Sequence, residues 1–483
     1  MDLTLQQAYQ LAMSANPLHN NNINRWVFLY DSYVGGETYR QGGYLTKYQL
    51  ETAGEYGTRL MTTPLDNQCR SIIATYISLL FRTEPDREFK SLELEPNLES
   101  FLKDCDWEGR SISAFMKQAS IWANVFGHTW IIMSKPSTGA VTRADEMAME
   151  VRPYLNLLTP LVVLDWAWRR KINGSYVLSK FKYVEDVNGD ETVIREWSEQ
   201  AITTYRVNTK DQTVLENLVE PNELGKIPAV ILYAQTSSIR GLGLSTIEDI
   251  ADAQRYIYNM TSEAEQAVRL GSHPSLVTPN TVTLGAGAGS IIQIPENMDP
   301  GLKPYVLEFS GQDISSIYMA IEKTVSSIDK MANTGSIRAT ESREMSGVSR
   351  EVEFQLLSAR LSEMADQIEL AEDQLWRLYA EYQGTQWDGE IDYPDSFAIR
   401  DTQNDIDQLV KTYAIVTDPS AKMAIEHELL ELVDIETVAT ETHELEEDIF
   451  PEHYMVKADT GERILIKSLE EHQAALDLGF VEE

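Results

Sequence analysis

Apolar residues recur every three or four positions in several stretches of the chain, a spacing that places them on one face of an α-helix. This pattern predicts helices at residues 64–82, 111–125, 245–270 and 314–331. Pro64 is expected in the first turn of the first of these helices, and Ser111 and Ser245 precede the second and third at positions suited to an N-cap. Gln254 interrupts the apolar face of the third helix.

A longer helix is predicted after a polar loop at residues 333–347. Its apolar positions alternate four and three apart over about three and a half heptads. Such a seam packs laterally, either against a helix of another chain or inside its own domain, and the pattern leaves both open. The seam consists of Leu357, Leu361, Met364, Ile368, Ala371, Leu375, Leu378 and Tyr382.

The remaining stretches predict strands and irregular segments. Residues 1–62 mix short helical pieces with aromatic and glycine residues, which is typical of an irregular arm. Residues 129–235 are rich in β-branched and aromatic residues, with Asn-Gly turns at 173–174 and 188–189, and predict an antiparallel meander. Glycines, prolines and short strand-like runs at 272–311 indicate a small β-containing insertion. The fold class is therefore α+β and mainly helical.

The balance of acidic and basic residues changes in the C-terminal part of the chain. Residues 402–447 are expected to be amphipathic helix, and carboxylates accumulate between 426 and 452, where there is no lysine or arginine. A hairpin about residues 459–461 and a last helix are expected in the tail. The pattern assigns no role to the acidic block.

Composition excludes several classes of protein. A hydrophobic share of 43% and a charged share of 24% are typical of a globular chain. Neither a membrane span nor a secretory signal is expected. The cysteines Cys69 and Cys105 are too few for a disulfide framework and are expected to be buried thiols. A net charge of −36 argues against tight gripping of DNA, which needs cations at the phosphates, and also favours solubility.

No local motif supports catalysis or a cofactor. The glycine run at 285–290 lacks the spacing of a dinucleotide fingerprint, and no P-loop is present. Asp186, Asn188 and Asp190 lack the glycine position of a calcium loop and predict a hairpin turn instead. His443, Glu447 and His453 favour a charged surface over a metal site. We therefore expect a chain that is not an enzyme and holds no metal or cofactor.

The order of parts resembles the portal proteins of tailed bacteriophages. The resemblance covers nearly the whole chain, is weakest before residue 20 and after about 445, and includes the split helical pair, the polar loop and the long helix. The stretches that carry it are residues 63–70 (TPLDNQCR), 158–166 (LTPLVVLDW), 225–230 (GKIPAV), 241–245 (GLGLS) and 346–349 (SGVS).

The resemblance implies a ring, commonly a dodecamer, at one vertex of a capsid, assembled in the host cytoplasm and retained in the virion. The ring would pass double-stranded DNA with only transient contact during packaging and ejection. Its implied partners are further copies of itself, the terminase large subunit, a head-completion or adaptor protein and the major capsid protein, with no membrane. The implied parts are arm and wing (1–243), first stem helix (244–270), clip (271–311), second stem helix (312–332), tunnel loop (333–347), long wing helix (348–384) and crown with the acidic C-terminal region (385–483).

Two groups of site residues follow from this resemblance. In the tunnel loop, the arginines would either touch phosphates transiently or pair with the glutamates of neighbouring subunits, and both interpretations stay open. The tunnel-loop group is Arg338, Glu341, Arg343 and Glu344. The channel-lining group on the stem helices is Asp249, Asp252, Arg255, Glu322, Lys323 and Lys330.

Two other functions compete with the portal interpretation. The first is a cytoplasmic scaffold whose long heptad helix forms a coiled coil with a partner. The second is a nucleic-acid-processing enzyme such as a nuclease or a packaging ATPase, which the missing P-loop and the net charge of −36 disfavour.

Overall fold

A computed structural model describes residues 5–136, 151–272, 275–277, 305–307, 311–338, 347–394, 453–457, 463–466 and 480–482, and a few single residues between them. The chain divides into two compact units, Met1–Ala398 and Ile399–Glu483. Helices and antiparallel sheets occur together, so the α+β class is confirmed. In the part of the chain that is described, no helix combines the length and apolar character needed to cross a bilayer.

The N-terminal 62 residues are largely helical, and the prediction of an irregular arm was wrong. The inward face of α2 explains the error, because His19, Asp31 and Ser32 are buried there beside Trp26 and Leu29. A face of polar and aromatic residues gives only a weak apolar periodicity. The helices are α1 (Leu5–Ala12), α2 (Pro17–Val34), α3 (Gly36–Gln41) and α4 (Ala53–Thr62).

The next helices begin where side chains cap them. α5 (Gln68–Leu80) starts after Asn67, whose side chain accepts the N–H of Arg70. Pro64 therefore lies before the helix, and the prediction that it occupies the first turn was wrong. α6 spans Leu98–Lys103. α7 (Ile112–Phe126) has Ser111 as N-cap and ends at Gly127, which confirms the predicted helix.

Two sheets, rather than one meander, occupy residues 128–233. Five strands follow one another as neighbours, which confirms the meander for that part, including its turns at Gly174 and Gly189. The other three strands form a separate antiparallel sheet in the order β3-β2-β9, and all of β2 is buried. The strands are β2 (His128–Ser134), β3 (Tyr154–Leu158), β4 (Val163–Arg170), β5 (Tyr176–Asn188), β6 (Glu191–Ser198), β7 (Ala201–Asn208), β8 (Thr213–Pro221) and β9 (Ala229–Tyr233); β1 is Asp86–Glu88.

Helix α1 is bound to the five-stranded sheet through a buried lysine. The Lys182 ammonium donates to the carbonyl oxygens of Leu11 and Ala12 at 3.0 and 3.2 Å and to the Ser14 hydroxyl at 2.9 Å. These are carbonyls at the C-terminal end of the helix, which lack partners within it and carry partial negative charge. A cation at this position therefore holds the end of α1 against the sheet.

The split helical pair is present close to the predicted bounds. α8 (Glu248–Ser272) and α9 (Gly311–Ala332) pack against each other, and β10 (Ser275–Val277) pairs with β11 (Tyr305–Leu307) between them. Ser245 is not the N-cap of α8. Its hydroxyl accepts the N–H of Ile247 and donates to the carbonyl of Val125, so it shapes the turn before the helix. The glycine run at 285–290 lies outside the described residues.

A short helix, α10 (Gly335–Arg338), occupies the start of the segment predicted as a loop. The long helix α11 (Gly347–Gln383) agrees with the prediction, and β12 (Glu390–Asp392) pairs with β1. The heptad seam of α11 packs into the main core of its own chain, where Leu357 and Leu361 are wholly buried. Burial within its own chain thus accounts for the heptad seam. The seam therefore no longer favours a scaffold that forms a coiled coil with a partner.

A buried carboxylate ties α11 to β1 and to the segment after β12. The wholly buried Glu372 accepts from Arg87 Nε at 2.6 Å, from Trp376 Nε1 at 3.1 Å and from the Tyr393 hydroxyl at 2.6 Å. Because an isolated buried charge is costly, this set of donors is what allows a glutamate on the inward face of the long helix.

The second unit contains a hairpin of β13 (His453–Lys457) and β14 (Arg463–Ile466), with β15 (Phe480–Glu482) on the other side of β13. The hairpin confirms the prediction for the tail. The helices predicted at 402–447 and at the end of the chain, and the acidic block at 426–452, lie outside the described residues.

Two glycines bring α7 and the segment before α8 into backbone contact. Gly127 has a φ of +89°, and a Cβ on Gly243 would lie 2.0 Å from the Gly127 carbonyl oxygen. Beside them, the wholly buried His128 accepts the N–H of Gly243 at Nδ1 over 3.3 Å. The close approach sets the direction in which α8 leaves the sheet.

Gly243→Ala should lower the free energy of unfolding by about 3 kcal/mol, because neither backbone can move without breaking sheet contacts. Gly54→Ala is the matched control, since a Cβ there meets open space in an exposed helix. The control should stabilise by about 0.5 kcal/mol. Urea denaturation measures both, and equal effects would contradict the close-contact explanation.

Burial lowers the pKa of His128 to about 3 from its ordinary value of 6.5. As the pH falls, His128 of the unfolded chain therefore binds a proton near pH 6.5, whereas His128 of the folded chain binds it only near pH 3. Stability should fall with decreasing pH in this window, by about 1.4 kcal/mol per unit from this residue alone.

Urea denaturation of the wild type and His128→Asn at pH 6.5 and pH 5 isolates this contribution. The wild type should lose about 2 kcal/mol more than the variant over that interval. Imidazole NMR shifts of the wild type give a second readout, and a His128 signal that titrates above pH 5 would contradict the prediction.

Candidate functional site

The inward face of α8 is apolar except at two polar positions, since Ile250 and Ile257 are buried on it as well. Gln254 and Ser262 on this face are wholly buried. The Gln254 side chain accepts the N–H of Cys69 at 2.9 Å and donates to the carbonyl of Ser32 at 3.0 Å. The residue that interrupts the apolar pattern thus joins α8 to both α2 and α5.

A second buried polar cluster lies about two turns further along α8. Arg59 is 3% exposed and donates to the Ser262 hydroxyl at 3.0 Å and to the carbonyl of Thr46 at 2.6 Å. Two further bonds of 2.9 Å join it to the Glu51 carboxylate, and these hydrogen bonds hold the pKa of Glu51 below its ordinary value. The guanidinium carbon lies 4.0 Å from the centroid of the Tyr48 ring.

Two further contacts lie on the inward side of α8 and at its exposed edge. Asn259 accepts the N–H of Thr46 at 2.8 Å and donates to the carbonyl of Tyr44 at 3.0 Å. Arg25 of α2 donates to the Glu248 carboxylate at 2.6 Å and to Asp252 at 2.9 Å. Side chains along most of the length of α8 are therefore bonded to the N-terminal helices and their linkers.

Helix α9 is held by the core at its C-terminal end. Ile328 and Ala332 are wholly buried, and the Tyr76 hydroxyl of α5 donates to the carbonyl of Ala332. Because the pair is anchored on its inward side, its opposite side faces solvent.

The predicted channel-lining residues all lie on exposed positions of the pair. Asp252 is the one with a bonded partner, Arg25, and the Arg255 guanidinium lies 5.9 Å from the Phe28 ring centroid. Exposure is what a channel wall requires, but the channel itself stays a prediction. The exposed residues are Asp249, Asp252, Arg255, Glu322, Lys323 and Lys330.

The predicted tunnel-loop residues are only partly described. Arg338 ends α10, donates from Nη1 to Asp329 Oδ1 at 2.9 Å and bonds to the Gln68 side chain, so its contacts are within its own chain. Glu341, Arg343 and Glu344 lie outside the described residues, and their pairing stays a prediction.

Three arginines around the helix pair are neutralised by carboxylates. Arg25 pairs with Glu248 and Asp252, Arg338 with Asp329, and Arg269 with Glu265 at 2.6 Å. A guanidinium held by a carboxylate is a weaker partner for a phosphate than a free one. The surface of the pair is thus charged without being strongly cationic.

The two cysteines are unreactive at neutral pH, and the candidate metal ligands His443 and Glu447 lie outside the described residues. Both thiols are buried, as predicted, and burial raises the pKa of Cys105 to about 12 and that of Cys69 further, so both stay protonated. Among the described residues, no group of three or more His, Cys, Asp or Glu side chains is placed to hold a metal ion. Asp186, Asn188 and Asp190 lie at the predicted hairpin turn.

The residues that anchor the pair were not predicted from the sequence. Arg59, Glu51 and Asn259 belong to segments with no chemical motif, and only the interruption at Gln254 marked the polar face. A stripe of polar residues at helical spacing inside an otherwise apolar face was the available signal, namely Gln254 and Ser262, eight residues apart.

Comparison with known proteins gives only distant likenesses. No protein-family model and no curated protein sequence matches the chain. One similar solved chain lies in the neck of an empty GTA particle computed with C6 symmetry; it is 10% identical, with a TM-score of 0.44, and the match covers 81% of this chain and 99% of that one.

Two further solved chains give similar values. A chain in the neck of a native GTA particle computed with C12 symmetry is 11% identical over 81% of this chain and 98% of that one, with a TM-score of 0.42. A chain in the virion of a native gene transfer agent particle is 10% identical over 74% and 89%, with a TM-score of 0.43. TM-scores below 0.5 do not establish a common fold.

Arg59→Met should lower the free energy of unfolding by about 2 kcal/mol, because it removes the hydrogen bonds of a buried guanidinium to Ser262, the Thr46 carbonyl and Glu51. Arg269→Met removes an exposed pair within α8 and serves as the matched control, with an expected loss below about 0.5 kcal/mol. Chemical denaturation measures both. A loss at Arg59 no larger than the control would contradict its anchoring role.

Proposed function

We propose that this chain is a portal subunit, which assembles into a homo-oligomeric ring at a capsid vertex and surrounds a channel for double-stranded DNA. The observation that carries the proposal is the two-sided character of the α8–α9 pair. Its inward side is bonded to α2, α4 and α5, while its outward side presents charged residues to solvent. A channel wall needs one side that is fixed rigidly to the rest of the subunit and another side that is polar and hydrated.

The electrostatics support passage of DNA without retention. Affinity for duplex DNA comes mainly from lysines and arginines that displace counterions from phosphates. The chain has a net charge of −36, and three arginines of the helix pair region are already held by carboxylates. Asp249 and Glu322 would repel phosphates and offset the attraction of Arg255, Lys323 and Lys330, which lets the duplex slide.

Other parts of the proposal concern segments described only in part. Residues 271–311 would dock the terminase large subunit during packaging and a head-completion protein afterwards. The segment 333–347 would contact DNA transiently through Arg338 and Arg343, although a phosphate would have to compete with Asp329 and Gln68 for Arg338. Residues 1–243 and 348–384 would face the major capsid protein, with 385–483 inside the head.

Electron microscopy of the purified protein should show rings with a central hole. Asp249→Lys with Glu322→Lys should convert these rings into particles that retain duplex DNA at low salt. The retention should weaken steeply with added salt, because each new cation displaces counterions.

A double variant with the same charge change elsewhere is the control, and Glu93→Lys with Glu191→Lys uses exposed glutamates outside the helix pair. DNA retention measured by filter binding should not rise comparably in the control. Equal retention in both variants would contradict the channel assignment, and a wild type that forms no rings would contradict the portal function as a whole.

A further inference from the structure

Strand β3 lies at an outer edge of the three-stranded sheet, and its backbone groups alternate between the β2 side and the outer side. The Leu155 N–H bonds on the outer side, to the carbonyl of Cys105 at 2.8 Å. Met133, its partner in β2, likewise bonds away from β3, to the carbonyl of Pro228 at 2.9 Å. Leu157 has the same orientation as Leu155, so its N–H and C=O also point outward. In the described part of the chain, no group bonds to either of them.

The outer edge of β3 borders a cleft of about 560 Å³, a volume in the usual range of binding sites. All five residues of β3 line this cleft. Gln118 and Trp122 of α7 form one wall, and Tyr183 and Glu185 of β5 form another. The cleft thus combines an open strand edge with walls made of side chains.

The geometry of the cleft suits one extended strand. A strand paired with β3 would lie about 4.8 Å from it and would direct alternate side chains to the two faces of the sheet. Trp130 marks one of these faces, and its ring lies 4.9 Å from that of Phe181 in β5. Leu158 lies opposite Trp130, so this face of β3 is turned towards β5. One row of side chains of an added strand would therefore meet Tyr183 and Glu185.

The loop before α7, which also lines the cleft, is held by its own hydrogen bonds. The Asp104 carboxylate accepts the N–H of Gly109 at 2.9 Å, and the Asp106 carboxylate accepts that of Glu108 at 2.9 Å. Trp107 has a φ of +64°, in the left-handed region that residues other than glycine rarely adopt. A preformed loop lowers the entropy that binding has to offset.

The charged side chains of the cleft leave an excess of negative charge. Asp106, Glu108 and Glu185 line it together with one arginine, Arg110. Arg110 pairs with the first two of these carboxylates, and Arg195, outside the lining, pairs with Glu185 at 3.0 Å. Three carboxylates against two arginines leave one negative charge, in a chain that carries −36 overall. The cleft therefore favours an occupant with a basic side chain.

We propose that this cleft binds an extended, basic segment of a partner protein, which joins the three-stranded sheet as a further strand beside β3. The segment accepts the N–H of Leu157 and donates to its carbonyl, and a lysine or arginine of the segment lies beside the carboxylates of the cleft. In such strand addition the main-chain bonds supply affinity and the side-chain contacts supply specificity. The inference does not depend on the ring of the proposed function and adds a contact with a partner to it.

A second copy of this chain is a poorer occupant than a basic partner. The chain has 76 acidic and 40 basic residues, so its own segments bring mostly like charge to the cleft. Like charges placed side by side across a strand pair are destabilising.

Binding of a designed peptide tests the proposal. The probe is a fluorescently labelled heptapeptide of alternating valine and lysine with blocked ends, and fluorescence anisotropy measures its binding to the full chain. The chain should bind it at least about tenfold more tightly than the same peptide with glutamate in place of lysine. No binding of the lysine peptide below about 1 mM would overturn the inference.

Leu157→Pro tests the main-chain bonds. Proline lacks the N–H, and it is tolerated at an edge where that N–H has no partner within the chain. Leu157→Ala is the matched control, because it also removes the leucine side chain but keeps the N–H. The proline variant should bind the lysine peptide at least about tenfold more weakly than the alanine variant. Equal affinities of two folded variants would contradict strand addition.

A pair of charge variants separates the cleft from the overall charge of the chain. Glu108→Gln with Glu185→Gln should weaken binding of the lysine peptide about threefold at low salt. Glu93→Gln with Glu220→Gln makes the same charge change on exposed glutamates outside the cleft and should leave the affinity unchanged. Equal losses in both variants would show that the peptide is attracted by the whole chain, and would overturn the assignment to the cleft.

Hydrogen exchange of the wild type reads the same contact without a substitution. The Leu157 amide should exchange rapidly in the free chain and at least about tenfold more slowly with the lysine peptide bound, while exchange in β8 stays the same. A Leu157 amide that is protected in the free chain would mean that the chain itself covers this edge. Protection that rises with protein concentration would assign the edge to a second copy. Either result would overturn the inference.

The outcomes also distinguish this inference from the proposed function. Rings without peptide binding would overturn the strand addition and leave the portal proposal. Peptide binding by a chain that forms no rings would leave the strand addition and contradict the portal proposal.

Discussion

The structure depends on one unusual condition, that two polar side chains on the otherwise apolar inward face of α8 have to be buried. Gln254 and Ser262 of α8 are wholly buried, and each would be strongly destabilising without hydrogen-bond partners. The partners come from Ser32, Arg59 and Cys69, far away in sequence. The buried position of α8 is therefore stable only together with the N-terminal helices, and the N-terminal segment is an integral part of the fold.

Because of this condition, one side of the α8–α9 pair is bonded to the rest of the chain and the other side is exposed to solvent. The proposed function rests on this difference between the two sides. The same hydrogen bonds that satisfy the inward face restrict the rotation of α8, so the charged residues on its other side have a defined direction. Arg25, Arg269 and Arg338 are held by carboxylates, which keeps the surface polar but not strongly cationic.

How well a helix was predicted from the sequence depended on the kind of residues that it buries. α7 and α11 bury aliphatic and aromatic faces, and their helical period placed both within about one residue of the observed bounds. The N-terminal helices bury the polar residues His19, Asp31 and Ser32. Their apolar periodicity is therefore weak, and an irregular arm was predicted instead. The anchoring residues Glu51, Arg59 and Asn259 were missed for a related reason, since polar side chains look alike on a surface and in a buried network until their partners are known.

The sequence by itself determined the class of fold, the main helices, the hairpin turns and the strongly acidic balance, because each depends on local periodicity, turn chemistry or composition. Only the tertiary structure decided that β2, β3 and β9 leave the meander to form their own sheet, since strand pairing joins residues about a hundred positions apart. It also decided that the heptad seam of α11 is covered by its own chain. A local pattern shows that a face must be buried, but what buries it depends on contacts between distant segments.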